Sequence, residues 1–313
     1  MAEQNQIASG NNTDEGLKRV IGARALTFNA VNLTVGAGIF ALPAVIALYL
    51  GADAWIAYLL CTLLLVLVIL CFIEVGTKIA TSGGLYAYVE TAFGPFAGFL
   101  ANSLLWLGFT TTSTAAIANV MLDNLSVFIP ALTENAYRIL LLALFFGGLI
   151  AINIKSSKES SGFVFILTVV KLMPLLLLVA FGLMYIEPSN YESTNTLSIK
   201  NIGEGALILF FAFGGGAEST LSATGEIKDP VRTIPKALLS GVLLVFLIYL
   251  SVQFVAQGVL GKALLNEQEA PLAAVANIVF GTYGKLFMGA AAVLSCFGVI
   301  SGDILFSSRI PYA

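Results

Sequence analysis

Long apolar segments with almost no charged residues alternate with short polar stretches along this sequence. A helix needs roughly 20 predominantly apolar residues to cross a bilayer, and most of these segments approach or exceed that length. Lipid offers the backbone no hydrogen-bond partner, so such segments must form helices or a closed barrel. They lack the two-residue alternation that is typical of barrel strands. We therefore predict an all-α integral membrane protein with about eight spans, at residues 25–50, 54–73, 96–122, 139–154, 161–186, 202–223, 237–261 and 283–308, and a short surface helix at 271–281.

The composition excludes several classes of function. Hydrophobic residues make up 58% of the 313 residues and charged residues 11%, whereas a soluble domain carries about 25% charged residues. The absence of histidine removes Ser-His-Asp hydrolases and histidine-ligated metal or haem sites. The sequence has no pair of span aspartates and no metal-ligand constellation that would suggest an intramembrane enzyme. A net charge of −3 is too balanced for nucleic-acid binding. We expect a protein surrounded by a lipid bilayer, with no enzymatic activity and no nucleic-acid partner.

Lysine and arginine residues determine the predicted orientation. With the N-terminus in the cytoplasm, ten basic residues lie on the inner side and four on the outer side, while Lys171 lies within a span. This excess follows the positive-inside rule. Residues 1–23 are polar and are expected to form a cytoplasmic tail rather than a cleavable signal peptide. We expect a multi-pass protein of a bacterial inner membrane.

Glycine-rich motifs interrupt the first and the sixth span, at 36–38 and 214–216. Glycine inside a helix costs roughly 0.8–1.0 kcal/mol relative to alanine and so favours local unwinding; close helix packing through small residues is the alternative. The two spans are five apart and cross in opposite directions, as in transporters with a midplane site between inverted halves. Unwound backbone offers N–H groups to a carboxylate and C=O groups to an amine. The predicted binding residues for an amino acid are Gly36, Ala37, Gly38, Ile39, Phe213, Gly214, Gly215 and Gly216.

Five motifs, in order along the chain, resemble those of the amino acid–polyamine–organocation (APC) permeases. They are RVIG (19–22) leading into GAGIF (36–40), SGGLYAYVE (82–90) with FG (93–94), FFAF (210–213) and GEIKDPVRTIP (225–235). The resemblance runs over nearly the whole chain. It implies a leucine-transporter-type fold, in which two inverted five-helix repeats have their first helices unwound at the site. Residues 24–186 would form the first repeat and residues 187–313 an incomplete second one.

Two departures from the family pattern concern the side-chain pocket. The family usually has serine or threonine where Ala37 stands. Around 214–216 the chain carries one extra residue relative to the usual aromatic-x-Gly-aromatic-Glu pattern, and Ala217 replaces the second aromatic residue. Phe213 directly precedes the second break, which makes it a candidate gate.

Lys171 lies near the middle of the fifth span. A charge at this depth costs about 2.5–3.5 kcal/mol on insertion scales, so the side chain should face the bundle. A structural ion pair is one interpretation, and a functional charge is the one we favour. In related permeases a lysine at this position stands where sodium-coupled relatives bind a cation. The resemblance thus implies either proton coupling or a fixed charge in place of the ion, and we expect no cofactor other than a coupling proton.

Two acidic residues lie inside predicted spans. Asp303, in the eighth span, is expected either to pair with Lys171, since a buried pair costs less than two lone charges, or to contact a cationic substrate. Glu218 follows the second break, where we expect a structural role as a cap or a partner of nearby backbone.

The combined pattern predicts a secondary transporter that moves amino acids by alternating access, coupled to protons or working by exchange. The alternative is a truncated membrane fragment, or a structural or regulatory piece of such a permease, because the second repeat is incomplete. The sequence distinguishes neither the amino acid that is carried nor the oligomeric state.

Overall fold

The computed structural model describes residue 19 and residues 21–79, 84–126, 128–155, 161–192, 197–214, 216–221 and 224–307. Side chains are described throughout these ranges except at 152–168, 170, 217–219, 301–302 and 305–307. Within the ranges the chain is built from helices and their connections, and an isolated parallel bridge joins Ile21 to Ile227. The predicted all-α class is confirmed.

Each predicted span coincides with one helix or with a series of helices in the described residues. The first and the sixth span are each divided between two helices, and the third contains a π-helical segment, Leu104–Thr110. The helices are α1 (Ala23–Thr34), α2 (Gly38–Leu50), α3 (Ala54–Lys78), α4 (Leu85–Phe93), α5 (Pro95–Ser103), α6 (Thr111–Ser126), α7 (Asn135–Lys155), α8 (Ser161–Gly182), α9 (Ile199–Phe213), α10 (Gly216–Leu221), α11 (Pro230–Leu260) and α12 (Pro271–Ser307).

Four helical stretches of the described residues are long and apolar enough to cross a membrane. They are Gly38–Lys78, Pro95–Ser126, Pro230–Asn266 and Pro271–Ile300, and Asn135–Ala151 and Lys171–Tyr185 are shorter apolar helices. Helices α1 and α9 have 12 and 15 residues, which at 1.5 Å per residue is less than the roughly 30 Å of a hydrocarbon core. The first and the sixth span can therefore cross only as broken pairs.

Helix α12 breaks at Gly281, whose φ of 71° and ψ of −165° are not helical. A positive φ favours glycine because glycine has no Cβ. The break separates the predicted surface helix from the predicted eighth span. The surface helix is buried on its inner side through Leu272, Val275 and Ala276.

Helix α11 lies at the centre of the bundle, where it packs against α1, α2, α3, α8 and α12. Helix α12 also packs against α6 and α8. Helix α3 exposes large apolar side chains, among them Leu63 at 60% and Leu67 at 55%. Exposed apolar faces of this kind suit lipid rather than water.

Two connections fasten the ends of the bundle. At one end, the Ile21 N–H donates to the Glu226 carbonyl at 3.0 Å, which holds the segment before α1 to the loop before α11. At the other end, the segment Pro188–Tyr191 packs on the last turns of α11. There the Tyr191 hydroxyl donates to the Phe254 carbonyl at 2.8 Å.

Candidate functional site

The first break separates α1 from α2. Val35, with φ −75° and ψ 87°, leaves the helical conformation directly after α1. Its N–H still donates to the Val31 carbonyl at 2.8 Å, and the Phe40 N–H donates to the Ala37 carbonyl at 3.0 Å as α2 begins. The first N–H groups of a helix have no partner inside that helix. The start of α2 therefore presents donors and a positive dipole end at the break.

The second break separates α9 from α10. Helix α9 ends at Phe213, and Gly214 is extended, with φ −68° and ψ 175°. The Gly214 N–H makes the last bond of α9, to the Phe210 carbonyl at 3.0 Å. Gly215 lies outside the described residues, and Gly216 already belongs to α10. The last carbonyls of α9 are those that a helix end leaves without an internal partner, so this break presents acceptors.

The two breaks lie against each other. A Cβ added at Gly38 would stand 3.3 Å from the Cβ of Ala212, near the end of α9. A Cβ added at Gly216 would overlap the Thr34 hydroxyl and would stand 2.9 Å from the Ala30 carbonyl oxygen. Each broken span thus has a glycine at the point where the other span packs closely against it. Unwinding and close packing, which the sequence offered as alternatives, both occur at this site.

The first break also borders the last span. A Cβ at Gly36 would stand 3.2 Å from a methyl group of Val299. Ala37 is 2% exposed and belongs to an apolar cluster formed by α6, α7 and α12. The other buried members of this cluster are Ala118, Met121, Leu149, Cys296 and Ile300. The wall next to Ala37 is thus apolar, and Ile39 is buried in the main core on α2.

The side chain of Lys171 reaches from α8 to the end of α1. It is 7% exposed, and its ammonium donates to the Asn32 carbonyl at 2.5 Å. A cation is favoured at the C-terminal end of a helix, where the helix dipole is negative. The predicted inward orientation of this lysine is therefore present, and its partner is backbone at the first break.

Asp303 does not pair with Lys171 in the described residues. Its carboxylate accepts a hydrogen bond from the Thr114 hydroxyl of α6 at 3.2 Å, and the ion pairs of the described side chains do not include the two. The pairing expected from the sequence is thus not formed. The side chain of Glu218 lies outside the described residues, so its role as a cap stays a prediction.

Three side chains around the breaks are buried and polar, and the sequence analysis did not predict a role for them. The Tyr249 hydroxyl of α11 donates to the Thr34 carbonyl at 3.2 Å. The Tyr58 hydroxyl of α3 donates to Gln253 at 3.1 Å, and the Gln253 amide donates to the Pro43 carbonyl at 3.4 Å. The signal was available, because Tyr249 and Gln253 stand one helical turn apart in a span that carries no charge.

A small cavity of about 20 Å³ lies below the breaks, between α1, α3, α9 and α11. Its lining includes Thr34, Phe213 and Gly241. This volume suits about one water molecule. An amino acid would fit here only after the helices around Phe213 had moved.

The sequence is similar to those of several known transporters. Residues 21–313 match the family model described as amino acid permease. The serine/threonine exchanger SteT of Bacillus subtilis (strain 168) is 30% identical over 314 aligned residues, covering 96% of this chain and 69% of the exchanger.

Two further relatives come from the same bacterium. The branched-chain amino acid permease BcaP is 22% identical, with 98% of this chain and 69% of the permease aligned. The methylthioribose transporter is 25% identical, with 83% of this chain and 59% of the transporter aligned. By their names, these relatives carry different substrates.

Proposed function

Because the chain belongs to the amino acid permease family of the APC superfamily, we propose that it carries an amino acid across the membrane by alternating access. The family is one of transporters and not of enzymes. We propose that the protein lies in a bacterial inner membrane with its N-terminus on the cytoplasmic side.

The contact between the two breaks is the observation that supports this function. The N-terminal end of α2 offers N–H groups at Gly36–Ile39, which suit an α-carboxylate. The C-terminal end of α9 offers carbonyls at Phe213 and Gly214, which suit an α-amine. Because Gly38 lies against Ala212, one small zwitterion can reach both ends.

Small neutral amino acids are the substrates that we propose first. The described side chains of the apolar cluster around Ala37 carry no charge, and the lysine at the first break, Lys171, donates to the Asn32 carbonyl. An apolar wall leaves a charged substrate side chain without a partner, which is costly in a buried site. The similarity to a serine/threonine exchanger makes serine and threonine the first candidates.

Lys171 is the residue that we propose for coupling. Its ammonium holds the Asn32 carbonyl at the end of α1, so a change in its charge would alter the first break directly. A lysine that releases its proton during the cycle would couple transport to protons. A lysine that stays charged would replace a coupling cation and would suit exchange.

Uptake into proteoliposomes tests this function. The purified 313-residue chain is reconstituted, and uptake of labelled serine is measured with internal unlabelled serine, with a pH gradient and with neither, against empty liposomes. We expect saturable serine uptake. Internal serine or a pH gradient should accelerate this uptake, and threonine should inhibit it by competition. Absence of uptake for serine and for a panel of the other amino acids would contradict the proposal and favour the non-transporting alternative.

A further inference from the structure

Helix α11 contacts the backbone on both sides of the first break. The Tyr249 hydroxyl donates to the Thr34 carbonyl, before the break, at 3.2 Å. The Gln253 amide, four residues later and on the same face of the helix, donates to the Pro43 carbonyl, after the break, at 3.4 Å. One rigid helix therefore holds both halves of the interrupted span.

A third side chain fixes the orientation of the glutamine. The Tyr58 hydroxyl of α3 donates to the Gln253 carbonyl oxygen at 3.1 Å, so both ends of the side-chain amide are used. Tyr58, Tyr249 and Gln253 are at most 2% exposed. Polar groups at this depth in a bilayer are costly unless they are hydrogen-bonded, and an apolar residue would avoid the cost.

The same tyrosines also contact the second break. The ring of Tyr249 lies 4.7 Å from the ring of Phe213, tilted by 40°. The ring of Tyr58 meets Phe213 edge-on at 6.3 Å. Phe213 is the last residue of α9, so two of the side chains that hold the first break also contact the second.

Pro43 weakens α2 close to the contact with Gln253. Proline has no N–H, so it removes the helical bond to the carbonyl four residues earlier, at Ile39, and tends to bend the helix. The Gln253 amide holds the Pro43 carbonyl at this weakened turn. Helix α11 thus contacts α2 at the turn that the proline weakens.

We propose that Tyr58, Tyr249 and Gln253, here called the polar bracket, are positioning residues that hold the two breaks in the geometry that binds substrate. They touch neither carboxylate nor amine in the proposed site. They act through the Thr34 and Pro43 carbonyls and through the ring of Phe213. The proposal rests on the proposed function, because it assumes that the breaks bind an amino acid.

The test uses Tyr249→Phe, which keeps the ring against Phe213 and removes only the hydroxyl. Tyr283→Phe is the matched control, because Tyr283 is 86% exposed on the outside of the bundle. For serine uptake we expect Tyr249→Phe to raise KM about threefold to tenfold, the range that one lost hydrogen bond covers. Vmax should change less than twofold, and the control should match the wild type in both constants.

Hydrogen–deuterium exchange of the amides at 35–40 supplies a readout that does not depend on transport. We expect faster exchange in Tyr249→Phe than in the wild type or in Tyr283→Phe. An unchanged KM, or a loss of Vmax alone, would overturn the polar bracket, because a purely structural residue would lower only the amount of active protein. If the wild type shows no uptake, the proposed function fails, and unchanged exchange at 35–40 would then separately overturn the bracket.

Discussion

The ammonium of Lys171 donates a hydrogen bond to the Asn32 carbonyl across 2.5 Å, which places a positive charge at the end of the interrupted helix α1. This contact joins α8 to α1 through two residues that are 139 positions apart in the sequence. The lysine therefore caps the helix end and carries a charge next to the first break at the same time. The same hydrogen bond is therefore compatible with a structural role and with a coupling role for Lys171.

Replacing Lys171 by alanine should remove the pH dependence of uptake. The change leaves the half-buried Asn32 carbonyl without its donor, which costs up to about 1–3 kcal/mol for an unsatisfied group, and removes the charge at the break. Serine uptake measured between pH 5.5 and 8 should be slower than in the wild type and flat with pH. Lys285→Ala, which changes an exposed lysine, is the matched control. Unchanged rate and pH dependence in Lys171→Ala would exclude the coupling role.

Gly216→Ala should separate α1 from α10. The new methyl group would overlap the Thr34 hydroxyl and approach the Ala30 carbonyl, and overpacking of this kind costs about 1–3 kcal/mol. We expect a lower melting temperature in detergent and a loss of most serine uptake.

Gly148→Ala is the control for this substitution, since a Cβ at Gly148 has nothing within 4 Å. It should leave both melting temperature and uptake close to those of the wild type. Adding Thr34→Ala to Gly216→Ala should recover part of the melting temperature, because it removes the hydroxyl from the overlap. Equal behaviour of the two glycine variants would show that the close approach at Gly216 is not needed.

A double-mutant cycle should reveal the bond between Tyr58 and Gln253. Gln253→Leu leaves the Tyr58 hydroxyl buried and unpaired, which is expected to cost about 1–3 kcal/mol. Adding Tyr58→Phe removes the unpaired group, so the double variant should lose less than the sum of the single variants. The expected coupling is about 0.5–1.5 kcal/mol in the free energy of unfolding. Strict additivity would mean that the two side chains do not stabilise each other.

The positions of both breaks could be predicted because the conformational cost of glycine is local. The motif at 36–38 and Gly214 lie where the helices end. The partners of the buried charges could not be predicted. Lys171 and Asp303 lie on different helices, and their distance depends on how far α8 and α12 slide past each other, which the sequence of either helix does not determine.

The polar bracket illustrates the same limit. Thr34 and Tyr249 are 215 residues apart, so the sequence does not indicate that they are in contact. A tyrosine in an apolar span is usually a packing residue. The turn-like spacing of Tyr249 and Gln253 indicated a shared face, but nothing in the sequence indicated that this face meets the first break.

Asp303→Asn should retain serine uptake within about twofold. Asparagine can still accept the hydrogen bond from Thr114 that links α6 to α12, and a neutral substrate needs no counter-charge. Asp303→Leu removes the acceptor and should lower the melting temperature. Inhibition of serine uptake by arginine, compared between the wild type and Asp303→Asn, tests the other interpretation. Strong inhibition that disappears in Asp303→Asn would show that the carboxylate contacts a cationic substrate.

Tyr191→Phe should reveal a stabilising contact that is lost at high pH. Burial raises the pKa of Tyr191 from 10.0 to about 12, so the folded protein favours the protonated hydroxyl, which donates to the Phe254 carbonyl at 2.8 Å. A raised pKa gives stabilisation that is complete below about pH 10 and is lost as the pH rises through about 12. The phenylalanine variant keeps the stacking on Phe254, with ring centroids 4.7 Å apart, but has no hydroxyl. The melting temperature of the wild type should therefore exceed that of the variant at pH 8, and the difference should shrink between pH 10 and pH 12. Tyr283→Phe should show no such difference, and a gap between wild type and Tyr191→Phe that stays constant to pH 12 would contradict the role of the hydroxyl.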